Sequence, residues 1–125
     1  MDGRPQMVLT GVVLDSSDAR ELAGFYQRLL GWSATQEEAH WVVLGVPGGG
    51  AGLSFQTEKL YARPVWPARP GEPQMSVHLD IRVDDLEAAC AHAEHAGATL
   101  ADFQPQDNVR VYLDPAGHPF CLYVD

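Results

Sequence analysis

Apolar and polar positions along the chain change period in one order, and that order occurs twice. An extended run at 7–14 leads into Asp15-Ser16-Ser17-Asp18, whose short polar side chains suit the free amides of a helix start. Leu22, Phe25, Tyr26, Leu29 and Leu30 then recur at helical spacing as one apolar stripe, and Gly31 supplies a left-handed stop. Short strands are predicted next at 32–36, 40–44 and 51–57, the last after the turn-forming Pro47-Gly48-Gly49-Gly50.

The second half repeats this. An extended stretch at 75–82 is followed by Asp84-Asp85, a helix stripe of Leu86, Ala89, Cys90 and Ala93, and a stop at Gly97. Strands are predicted at 99–103, 109–113 and 119–124. Asp85 superposes on Asp18 with an offset of 67, and the stopping glycines then agree within one residue. The pattern is a tandem βαβββ repeat in one domain: a first module over about 7–58, a connector at 58–74 and a second module over about 75–125. The connector carries Pro64, Pro67, Pro70 and Pro73, which exclude a helix or central strand. Its Tyr61 and Trp66 are too apolar for a solvated spacer, so a cavity wall stands beside the linker reading.

Composition narrows the partners. The 125 residues hold 8 Lys+Arg against 17 Asp+Glu, a formal charge of −9, which argues against nucleic acid and anionic membrane. No apolar run approaches the roughly 20 residues of a membrane span, and nothing resembles a leader, so a cytoplasmic protein is expected. Cys90 and Cys121 lie in apolar elements and are read as reduced core residues.

The repeat, with Phe25-Tyr26…Leu29-Leu30-Gly31-Trp32 closing the first helix and Leu113-Asp114-Pro115-Ala116-Gly117-His118-Pro119 entering the last strand, resembles the vicinal oxygen chelate superfamily. That superfamily holds glyoxalase I, extradiol dioxygenases, fosfomycin resistance proteins and bleomycin-binding proteins. Leu53-Ser54-Phe55-Gln56, the segment around Trp66 and Met75-Ser76-Val77-His78-Leu79-Asp80 are similar to its actinobacterial glyoxalase-like group. The resemblance implies an α+β fold whose tandem βαβββ modules form a curled mixed sheet around a cavity, assembled as a homodimer.

In metal-dependent relatives the resemblance implies a divalent ion held by the first and fourth strands of each module, typically by His, Glu, His and Glu. His78, followed by Val83-Asp84, meets one position. The offset of 67 places its counterpart on Gly11, which has no side chain; the fourth-strand positions fall on Ser54, with Gln56 nearby, and on Cys121. One ligand of four is intact, so no cofactor is expected and an obligatory metal is disfavoured. Cys121 and His78 would make half of a soft zinc site, with two more ligands needed from outside the family pattern.

Strand alternation places Ser76, His78 and Asp80 on one face, with Leu9, Gly11 and Val13 as the first-strand counterpart and Gly52, Ser54 and Gln56 on the fourth. The expected ligand site is Ser54, Phe55, Gln56, Tyr61, Trp66, His78, Asp80 and Cys121, with aromatic walls and polar orienting groups. His78 is the best acid–base candidate, although Asp80 lies about 7 Å along the strand, too far to pair directly without bending, and a structural hydrogen-bonding role for His78 stands beside the catalytic one. His118 is read as ordering its turn, and His92 and His95 as a solvated helix face. The expected function is binding of a small organic ligand without an obligatory metal. Two alternatives stand beside it: a metal-dependent or His-based lyase or isomerase of glyoxalase type, and an antibiotic-sequestering resistance protein.

Overall fold

The computed structural model describes residues 3–125, and both repeats are present. The first module runs β1 (Gly11–Ser16), α1 (Ala19–Leu30), β2 (Ser33–Glu38), β3 (Trp41–Gly45) and β4 (Gly52–Thr57). The second runs β5 (Leu79–Arg82), α2 (Leu86–Ala96), β6 (Thr99–Leu100), β7 (Val109–Leu113) and β8 (Pro119–Tyr123). Each forms a four-stranded mixed sheet, ordered β1-β4-β3-β2 and β5-β8-β7-β6, with the outermost first strand parallel to the fourth. The two sheets are separate and do not close into a barrel.

The helix ends follow from their caps. Asp18 accepts from the amides of Arg20 and Glu21, and Gly31 closes α1 at φ 73°, donating its amide to Gln27. The α1 stripe supplies the centre of the core: Leu22, Phe25 and Tyr26 are fully buried. Tyr26 stacks on Phe55 of β4 at 5.5 Å, while Phe25 meets Phe120 of β8 at 5.9 Å. One helix therefore packs against both sheets, so each module completes the other's apolar core. Polar ties cross the same boundary: Arg28 Nε donates to the Ala96 carbonyl at 3.1 Å, and His92 Nε2 lies 3.0 Å from the Leu29 carbonyl.

Two strand starts differ from the sequence reading. The apolar run Met7-Val8-Leu9 lies outside β1 and is exposed, so Leu9 does not share the row of Gly11 and Val13. Likewise β5 begins at Leu79 rather than at residue 75. In both cases the apolar alternation says nothing about whether a neighbouring strand is there to pair with it. At Gly52 a side chain would collide with the Leu44 carbonyl across the β3–β4 ladder, which accounts for glycine at that position. Both cysteines are free and half-buried, and no helix among the described residues is long and apolar enough to cross a membrane.

Candidate functional site

The turn that enters β8 is built on one carboxylate. Asp114 is 1% exposed and accepts from the Tyr26 hydroxyl at 2.8 Å and from the amides of Ala116 and His118 at 2.9 and 3.0 Å. Its oxygens also lie 2.9 and 3.1 Å from His118 Nδ1. The connector is pinned to this turn. The Tyr61 hydroxyl donates to the Ala116 carbonyl at 2.7 Å and lies 3.3 Å from His118 Nε2, and Arg63 donates to the Pro115 carbonyl. Burial first, and then the Asp114 carboxylate, raise the Tyr61 phenol to about 12 against an opposing effect of Arg63, so it stays a neutral donor at physiological pH.

So held, the connector roofs a cavity of about 150 Å³ where the modules meet. Tyr61, Ala62 and Pro64 form one wall, Val13 and Asp15 of β1 another, and Gln74, Ser76 and His118 complete the polar lining. Asp15 is set by Gln56, whose amide donates to it at 2.7 Å from the facing position on β4. The cavity thus offers a carboxylate, an imidazole and two hydroxyl-bearing residues beside small apolar surfaces, an arrangement that can orient a compact polar molecule.

A second cluster occupies the face of the second sheet turned away from the core. Asp80 and Cys121 are register partners on β5 and β8, and they alternate with the core residues Leu79, Phe120 and Leu122. His78 Nε2 lies 3.2 Å from Asp80 Oδ1, which corrects the expectation that the pair is too far apart. The reason is the late start of β5: His78 precedes the regular strand, so its ring is not held to the strand spacing. Burial first, and then the neighbouring Asp80 carboxylate, push the Cys121 thiol up. These residues line a groove of about 290 Å³ with Gln106, Val109 and Tyr123.

The eight residues expected to form one site are therefore divided. Tyr61 reaches the roofed cavity and Gln56 acts there through Asp15, while His78, Asp80 and Cys121 share the groove. Phe55 is fully buried against Tyr26 on the core side of β4 and is no ligand wall, because alternation turns it away from Ser54 and Gln56. Trp66 packs on Phe103 at 6.2 Å, away from both cavities. Ser54 is buried beside Gly11. Asp15 looks in the sequence like part of a helix start, yet β1 runs to Ser16 and Asp15 continues the Gly11–Val13 alternation, which is the signal that points to it. His118 orders its turn as expected, and its placement in the cavity wall becomes visible only once the connector folds back.

The family's four-strand metal set does not fit this chain. Gly11 has no donor, Ser54 is buried, and Gln56 is engaged with Asp15, so the first module offers none of its two ligands.

Comparison with known proteins agrees with this architecture. A family profile described as a glyoxalase-like domain matches residues 11–123. No curated protein matches the sequence. A glyoxalase-related enzyme from Fulvimarina pelagi is 18% identical, superposes with a TM-score of 0.70, and covers 97% of this chain and 89% of its own. A glyoxalase/bleomycin resistance protein/dioxygenase family enzyme from Burkholderia phytofirmans PsJN is 20% identical, with a TM-score of 0.70 over 94% of this chain and 98% of that one. TnmS3, an antibiotic binding protein from Streptomyces sp. CB03234, is 22% identical, with a TM-score of 0.61 over 96% of each chain. At these identities the structures show the shared fold, and the profile spanning both modules shows the family: the chain belongs to the glyoxalase-like domain family.

Proposed function

We propose that the protein binds a compact, polar organic ligand in the cavity roofed by the connector, and that this binding needs no metal. The observation that carries the reading is Tyr61. It is anchored at both Ala116 and His118, so the proline-rich segment forms a fixed wall opposite Asp15 and Ser76 rather than a free linker. A preformed wall lowers the ordering cost of binding. The Asp15 carboxylate favours a ligand that presents a hydrogen-bond donor or a positive charge at that end.

The volume of about 150 Å³ lies below the range of roughly 300–1,000 Å³ that suits drug-sized molecules, which favours a small metabolite over a bulky antibiotic. That the similar Streptomyces protein is described as antibiotic binding supports a binding role as one use of this fold.

Calorimetric titration with a panel of small cationic and hydroxylated metabolites tests the reading. A ligand that binds the native chain should lose at least about tenfold in affinity in Tyr61→Ala and in Asp15→Asn, because each removes a wall or an orienting hydrogen bond. Unchanged affinity in both variants, or no binder across the panel, rejects it.

One observation favours a second reading, acid–base catalysis: His78 lies beside the Asp80 carboxylate in an accessible groove. Turnover of a bound compound that is abolished in His78→Ala would select it.

A further inference from the structure

We propose that His78, Asp80 and Cys121 form a three-donor site for a borderline-soft divalent transition metal of the zinc class, contained wholly within the second module. The ligating atoms of the three side chains all lie within 4.8 Å of one another. Tetrahedral zinc, with bonds of about 2.0–2.3 Å, sets neighbouring donors roughly 3.3–3.8 Å apart. His78 and Asp80 already stand at 3.2 Å, so small side-chain rotations bring the triad to coordinating geometry. The backbone supports this closure, since Asp80 and Cys121 are register partners on adjacent parallel strands and His78 is two residues from Asp80.

The donor types point to the ion. A thiolate and a carboxylate supply two negative charges against a divalent cation, and the imidazole adds a neutral nitrogen. A thiolate disfavours hard magnesium or calcium, which select oxygen ligands. The site also has an entry path, because the His78 and Asp80 side chains are 40% and 62% exposed. With three protein donors, the fourth position opens onto the groove lined by Gln106, Val109 and Tyr123. Such an open position characterises reactive rather than purely structural zinc sites. This set differs from the family's four-strand arrangement: Asp80 is the added donor, and no first-module residue takes part. It also shares no lining residue with the roofed cavity, so it goes beyond the ligand-binding reading and stands or falls separately.

Cobalt(II) titration of the untagged, chelator-treated full chain is the test, because cobalt reports thiolate coordination by an intense near-ultraviolet charge-transfer band. One equivalent should bind with that band. Cys121→Ser should abolish the band, and His78→Ala and Asp80→Asn should each weaken binding by at least about tenfold. Cys90→Ser and Tyr61→Ala should leave both band and affinity unchanged, and zinc should displace the cobalt. The proposal is overturned by absence of saturable binding, by binding without the thiolate band, or by a band that depends on Cys90. It is equally overturned if Asp80→Asn, shown by circular dichroism to be folded, binds as tightly as the native chain.

Discussion

Asp114 is a carboxylate with almost no access to water, tolerated because the Tyr26 hydroxyl, two backbone amides and the His118 ring converge on it. Removing it leaves several buried donors without a partner, whereas removing the Tyr26 hydroxyl leaves the carboxylate its other donors. Asp114→Ala should therefore destabilise the protein by more than about 3 kcal/mol and Tyr26→Phe by about 1–2 kcal/mol, measured by urea unfolding. The reverse order would contradict the network. A second residue-scale effect is alkaline. Burial raises the phenols of Tyr26, Tyr61 and Tyr112 above their ordinary value of 10, in each case as the leading cause. The folded state holds the proton more tightly than the unfolded chain, so the stabilisation is complete below pH 10. For Tyr61 it is lost as pH rises toward 12. Unfolding free energy should fall with pH above 10, and less steeply in Tyr61→Phe; an equal slope would show that Tyr61 is not held as described.

Among the elements, helix boundaries were the most legible part of the chain, because they are written in single residues with strong local physics. Asp18 caps α1 through two backbone amides, so Asp18→Ala should cost about 1 kcal/mol with no change of fold, as read by thermal unfolding. A cost near zero would mean the cap is not formed in solution. Strand limits were less legible. Met7-Val8-Leu9 has the composition of a strand yet lies outside the sheet, and 75–78 bends at Ser76 before β5 begins. Pairing is a property of two segments, so one segment's alternation cannot report it. The same gap explains β6, which shortens to Thr99–Leu100: these pair in register with Leu113 and Tyr112, and the ladder ends after one further bond from the Ala101 amide to the Val111 carbonyl. It explains Phe103 as well, which leaves the predicted strand and meets Trp66 of the connector instead.

At the level of the whole molecule, two modules too small to bury a sheet alone share the aromatic cluster around Phe25, Tyr26, Phe55 and Phe120. Alternation puts His78 and Asp80 on one sheet face, where Cys121, read from the sequence as a core residue, instead lies beside Asp80 and lines the groove; alternation also turns Phe55 into the core. Sequence reasoning could not reveal how the connector folds back, because that depends on Tyr61 and Arg63 finding acceptors more than 50 residues away on the Asp114 turn. The roofed cavity exists only as a result of that return. The most direct measurement of its role is amide chemical-shift mapping by two-dimensional NMR during titration with a compound that binds the native chain. The account predicts that the largest shifts cluster at Asp15, Tyr61, Ser76 and His118; shifts confined to other parts of the molecule, with those four amides unmoved, would contradict it.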